Sequence, residues 1–319
     1  MNNSVWAFLT VDLENMNTPL AQGKYEQSLF SIEVVDLLLE IFDRYKVKGT
    51  FFASVYEHCR FNKEAVRDVL QYIDSRGHDI QLHTHPFWCY GREHMYQYSL
   101  SEQIKIIKDG RDLFNDWLGR YPVAHRAGAY GVNQDTLKSL YCNSIYVDSS
   151  MFHQHANCKL TWSINNVVEH NGIVEIPVTG FYRQYYLDIC VCKLKYKKRF
   201  VKTDINWCSY DELLAFVNEA KENNIKIINL FMHSYSLLKV DHTCKRFETN
   251  DRVTERLGKL LEICTQDADI SFITMQDFWE MYQYDPQQFC GEDYVPTIPY
   301  YVDVFSEIIE KCGRTKQAK

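Results

Sequence analysis

Residues 5–14 read VWAFLTVDLE, an apolar run that ends in two carboxylates spaced two apart. A run of this length, rich in Val, Phe and Leu, reads as a buried β-strand over residues 5–11. Side chains two apart on an extended chain share a face, so Asp12 and Glu14 point into one space while Leu13 turns away. Residues 77–86, GHDIQLHTHP, repeat the design with His83 and His85 at the end of a strand over residues 78–84. Between them the spacing of Ile32, Val35, Leu39 and Phe42 gives one apolar helix face. GTFFA at 49–53 supplies another strand, and Asn62 is placed to cap a helix running to about Ser75. Strand followed by helix, repeated, is the pattern of βα units around a parallel sheet.

The alternation continues with a helix over residues 101–117, a short one opened by Asn133 and ending near Leu140, and a strand over 144–147. From 150 to about 207 it fades into short extended pieces, among them 173–178, which reads as an insertion with a small sheet of its own. Ser209 and Glu212 then form a capping-box pair opening a helix to about Glu222. A strand over 226–232, a helix capped by Asn250 and running through Ile263, a strand over 270–273 and a helix over 275–282 complete the pattern. The expected organisation is a single α/β domain over residues 1–285 with the insertion at about 150–207, followed by a C-terminal tail over 286–319.

In a (β/α) barrel the C-terminal ends of the strands line the active site. That geometry gathers Asp12, Glu14, His83, His85, Arg126, Asp148 and His233, all of which follow or end predicted strands. Singly, each has an ordinary explanation: a lone strand histidine is usually structural, and a carboxylate after a strand is often a helix cap. Together, two histidines and a carboxylate are the donor set that a borderline-soft divalent ion takes while keeping a position for water.

Six stretches in order carry a further likeness: TVDLE (10–14), GTFF (49–52), GHDIQLHTHP (77–86), RAGAYG (126–131), VDSS (147–150) and FMHS (231–234). The chain resembles the polysaccharide deacetylase family, the NodB-like carbohydrate esterases, over about residues 5–280. The resemblance implies a distorted (β/α)7 barrel and removal of acyl groups from N-acetylated sugars with one divalent metal ion, zinc or a replaceable relative. Position by position it implies Asp12 as the base, His83 as the first metal histidine, Arg126 as the arginine that holds the base, Asp148 as the aspartate supporting the acid, and His233 as the general acid. The chain departs from the family pattern in places. Leu13 stands where a metal-binding aspartate is usual, so Glu14 is the candidate ligand. Phe87 stands where the second metal histidine is usual, leaving His85, or His94, for that position. The arginine motif lacks its proline, which leaves the amide expected to bind the acyl oxygen somewhere in Ala129 to Gly131.

Composition bounds the partners. The 319 residues are 46% apolar and carry 35 basic against 42 acidic side chains, so the overall charge of −7 offers nothing to nucleic acid or an anionic membrane. No apolar run approaches the ~20 residues of a membrane span, and residues 1–15 lack the charged start of a signal peptide, so the expected location is cytoplasmic. The 11 Cys show no framework spacing and are expected to be reduced thiols. The run Lys193, Lys195, Lys197, Lys198, Arg199 reads as an exposed strand edge, or else as an attractor of a nucleotide diphosphate or phosphate-linked sugar. The substrate classes left open are an N-acyl amino sugar or sugar nucleotide in surface glycan assembly and another amide such as a formamide, cyclic imide or acylated polyamine. A sugar-binding protein without turnover is the third.

Overall fold

A computed structural model describes residues 4–15, 30–189, 192–240 and 247–303. The first half follows the expected alternation: β1 (Val5–Leu13), α1 (Ile32–Arg44), β2 (Thr50–Ala53), α2 (Lys63–Ser75), β3 (Asp79–Thr84), a short α3 (Phe87–Tyr90), α4 (Leu100–Leu118), β4 (Ala124–Ala127), α5 (Gln134–Cys142) and β5 (Val147–Asp148). Then come β6 (Val168–His170), β7 (Ile173–Glu175), β8 (Gly180–Ile189) and β9 (Cys192–Lys202), followed by α6 (Tyr210–Glu222) and β10 (Ile227–His233). The chain continues through β11 (Leu238–Val240), β12 (Phe247–Thr249), α7 (Asp251–Gln266), β13 (Ile270–Phe272), α8 (Met275–Tyr284) and β14 (Thr297–Asp303). The main sheet runs β10-β1-β2-β3-β4-β5-β7-β6, with β13 also paired to β1, and curls into a distorted barrel. Asn62 caps α2 by accepting from the Ala65 amide, as its position predicts. Asn250 precedes α7 without such a bond.

The two-residue period of β1 sorts the interior. Val5, Ala7, Leu9, Val11 and Leu13 join the large core beneath the surrounding helices, while Phe8 turns into the barrel. There Phe8 meets Phe52, Ile227, Met275, Phe278 and Phe289, an apolar plug closing one end. Toward the strand C-termini the same inward row becomes polar. Thr10 donates to Asn229 at 2.6 Å, and Asp12 follows. One barrel therefore has a dry end that contributes stability and an opposite end lined by polar groups.

Three boundaries differ from expectation. The chain turns at Ser144 with φ 58°, so the strand there is only Val147–Asp148. β7 pairs parallel with β5, so the start of the expected insertion belongs to the main sheet and only the β8–β9 hairpin projects. Part of the expected tail is built into the fold: Phe289 fills the plug and β14 pairs parallel with β8. Cys59 and Cys89 form a disulfide joining the segment after β2 to α3, against the expectation of reduced thiols throughout. Cys190, Cys244 and Cys312 lie outside the described residues.

His78 offers a test of the packing. Its Nδ1 accepts from the Gly49 amide at 3.2 Å, and its ring sits against Phe42 and Phe51. Burial, with Lys48 adding to it, pushes its pKa down to about 4. The unfolded chain takes up this proton near pH 6.5, so the stability is complete above that pH and is lost as pH falls toward 4. The loss is at most about 3 kcal/mol, discounted for partial solvation. Thermal melts at pH 7 and pH 5 should show a smaller difference for His78→Gln than for the unaltered chain.

Candidate active site

The strand register builds the site. Asp12 lies beside His233 across the β1–β10 pair, and His83 beside Arg126 across β3–β4, so backbone hydrogen bonds alone place these groups in neighbouring pairs. Arg126 is fully buried. Its Nη1 donates to Asp12 Oδ1 at 2.8 Å, while Nε and Nη2 are held by the carbonyl and hydroxyl of Ser149, both at 3.0 Å. The guanidinium also lies 4.1 Å from the Phe52 ring centre. Burial alone would raise the Asp12 carboxyl, but Arg126, His83 and His233 outweigh it and hold the group below its ordinary value. Asp12 is an ionised, fixed carboxylate.

Next to it stand the nitrogen and oxygen donors. Glu14 Oε2 is 3.3 Å from His83 Nε2 and 2.5 Å from His85 Nε2, and one ligand atom from each of these residues lies within 4.8 Å of the others. His83 Nδ1 donates to the Arg126 carbonyl at 2.9 Å, which fixes its tautomer and leaves Nε2 with a free lone pair. That Nε2 is buried and has no hydrogen-bond partner. A buried imidazole nitrogen aimed at a carboxylate and a second imidazole is the donor chemistry of a divalent cation, and these residues fit one. Burial opposes charge on His85, but Glu14 and Glu93 outweigh it and raise its pKa well above the ordinary value. His85 Nδ1 faces Glu93 at 3.7 Å. His94 is not part of this cluster and stacks on Tyr96.

The remaining wall comes from the RAGAYG stretch. Gly128 is required by close approach, because a Cβ there would stand 2.5 Å from the His85 ring. Ala129 and Tyr130 follow with φ of 46° and 57°, an unusual conformation for residues with side chains. Both line a hollow of about 290 Å³ together with Asp12, Glu14, His85 and His233. A larger hollow, about 560 Å³, lies by Lys48, His78 and Asp79, at the opposite strand ends and away from these groups.

His233 ends β10 with Nε2 3.5 Å from Glu14 Oε1 and its ring stacked on Tyr235. Burial lowers its pKa and Lys202 adds to this, with Glu14, Asp12 and Asp204 pulling the other way. Asp148 does not serve it. Asp148 Oδ1 instead accepts from His125 Nδ1 at 2.7 Å and from the Ser150 hydroxyl at 2.8 Å, inside the barrel wall. The supporting role expected for Asp148 therefore has no counterpart in its contacts.

Lys202 and its partner Asp204 on this wall escaped sequence reading. Lys202 Nζ donates to the Tyr130 hydroxyl at 2.7 Å, pairs with Asp204 at 3.0 Å and lies 3.2 Å from the Phe231 ring centre. It closes the side of the site where residues 203–205 bond to Thr179 on one hand and Phe231 on the other. The basic run singled out in the sequence ends at Arg199, three residues short of it. Only the two-residue period from buried Phe200 placed it inward.

The family model for polysaccharide deacetylase matches residues 30–143, the stretch that holds both His83 and His85. The fold is that of the polysaccharide deacetylases. A Mycobacterium smegmatis structure assigned to the polysaccharide deacetylases superposes with TM-score 0.59 at 16% identity, covering 92% of this chain and 95% of that one. A second deacetylase-type structure, from Pseudomonas aeruginosa PAO1, gives 0.56 at 12% identity, with 89% and 92% covered. The Puue allantoinase gives 0.58 at 11% identity, also with 89% and 92% covered. At such identities these likenesses speak for the polysaccharide deacetylase fold and not for a substrate. No curated protein matches the chain in sequence. No described helix is long and apolar enough to cross a membrane.

Proposed function

We propose that the chain is a metal-dependent hydrolase that removes an acyl group, acetyl above all, from the nitrogen of an amino sugar or sugar nucleotide. The observation that carries this reading is the convergence of Glu14, His83 and His85 on one point beside the Arg126-bound carboxylate of Asp12 and the imidazole of His233. Glu14, His83 and His85 would hold one divalent cation, with zinc the best match to this nitrogen-rich set. Such a cation, when bound, activates water at neutral pH and polarises an acyl carbonyl.

The chain's own groups manage the protons. Asp12, kept ionised by Arg126, accepts a proton from the attacking water as its oxygen bonds to the acyl carbon. The carbon–nitrogen bond then breaks, and His233 supplies a proton to the leaving nitrogen. His233 acts in its protonated form, which burial and Lys202 disfavour and the nearby Glu14, Asp12 and Asp204 favour, and from that form the proton passes to the more basic amine. Glycan assembly is the setting that suits such a substrate. The cytoplasmic location expected from residues 1–15 is opposed by the Cys59–Cys89 disulfide, a bond that persists in oxidising compartments.

The allantoinase of the same fold keeps a second reading in view, hydrolysis of a formamide, cyclic imide or acylated polyamine. Release of acetate or formate from a panel of acylated amino sugars, sugar nucleotides and simple amides separates the two. Metal content without turnover on any member would instead indicate a sugar-binding protein.

His233→Ala should lower turnover on an amide by roughly 10²-fold or more, the usual size of a general-acid effect. The loss should be smaller on a nitrophenyl ester, whose leaving group departs unprotonated. Equal losses on both, with metal retained, would remove the acid role from His233.

A further inference from the structure

The β8–β9–β14 sheet leaves the barrel as a ribbon. Residues 193–199 of β9 are exposed without interruption, although successive side chains point to opposite faces. This part of the strand therefore has solvent on both sides and lies at the sheet edge, since the order is β14-β8-β9. The register sets Lys195, Lys197, Lys198 and Arg199 opposite Tyr186, Tyr185, Gln184 and Arg183, with no carboxylate across from these four, while Lys193 stands opposite Asp188. Two of these cations lie over rings: Lys198 is 4.3 Å from the Tyr182 centre and Lys197 5.9 Å from that of Tyr185. Apolar surface accompanies the charge. Leu194 is 53% exposed, Tyr196 47% and Tyr301 51%.

An edge strand needs only a lysine or two to discourage pairing with another sheet. That explanation covers the charge but not Leu194, nor the half of Tyr196 and Tyr301 that stays exposed after they pack on Tyr185 and Tyr186. A soluble polyphosphate would use the cations alone. An anionic bilayer uses both, because lysines and arginines meet the lipid phosphates while tyrosine and leucine settle at the headgroup boundary. We propose that this ribbon docks the protein peripherally on an anionic phospholipid surface. The chain's net charge of −7 opposes such docking elsewhere on the molecule and so orients it through the ribbon. From Lys193 back to Lys202 the strand spans about 30 Å, so a docked ribbon keeps the site within that distance of the bilayer. The inference stands whether or not the site is a deacetylase.

Flotation of the full chain with vesicles tests it. Binding is expected to phosphatidylcholine vesicles containing phosphatidylglycerol but not to phosphatidylcholine alone, and it should fall on raising salt. The triple variant Lys195→Glu/Lys197→Glu/Lys198→Glu should weaken binding at least tenfold. Leu194→Ser should weaken it on vesicles while leaving retention on immobilised inorganic polyphosphate unchanged. Unaltered thermal melts show that the exposed changes leave the fold intact. Should the triple variant misfold, Lys195→Gln/Lys198→Gln should give an intermediate loss. No binding to anionic vesicles at low salt, or equal binding by the charge variants, overturns the proposal. Binding to polyphosphate without vesicle binding also overturns it and points to a soluble polyanion.

Discussion

Asp12→Asn is expected to reduce turnover by about 10³-fold while the protein keeps its metal. Loss of a positioned base costs 10²- to 10⁴-fold, and two features place this case within that range. The carboxylate is buried and Arg126 Nη1 lies 2.8 Å from it, so the asparagine occupies the same space with no proton-accepting charge. Arg126 itself stays in place, because Ser149 holds it through two further bonds. The buried guanidinium then lacks a full counter-charge, which lowers stability and should appear in a thermal melt. Turnover measured well below the melting temperature separates the two effects. Metal lost in proportion to activity would mean that the roles given to Asp12 and Glu14 are exchanged.

His83→Ala should abolish metal binding and bring activity below detection. The ring is the most completely fixed donor of the three, with Nδ1 bound to the Arg126 carbonyl and Nε2 buried and unpartnered. Alanine leaves Glu14 and His85, too few ligands for the proposed site. Elemental analysis of the purified variant is the measurement, and full occupancy would take His83 out of the site. The same analysis of His85→Ala and His94→Ala decides the third ligand. The geometry favours His85, since His94 lies outside the cluster.

What was legible in the sequence was whatever the strand period carries. Asp12 and Glu14 share a face because they are two apart, and no tertiary knowledge is needed to say so. The length of β1 was read short, at residue 11, since its last residues are held by partners far away in sequence, β2 and β10. Asp148 was misread for a related reason. On a strand of two residues nothing local indicates which face is inward, and its register opposite His125 turned the carboxylate to that neighbour. Lys202, the β14 strand and the Cys59–Cys89 pair depend on long-range pairing, which neither composition nor periodicity encodes. Motif order helped most at the histidines and least at the walls, where loops of irregular length do the shaping.

The pairing of Asp12 with His233 across adjacent parallel strands has a consequence for how this site can change over evolutionary time. Their separation is fixed by the hydrogen-bond ladder, so the geometry proposed for handling protons is preorganised and costs a substrate no ordering entropy on arrival. New specificities cannot be reached by moving that pair, since sliding one strand would unpair the whole ladder and reverse every face. Variation is confined to what surrounds it: the turn at Ala129–Tyr130, the Lys202–Asp204 wall and the segment stapled by the disulfide. Relatives that share this ladder should therefore differ in which molecule they admit far more than in how they cleave it.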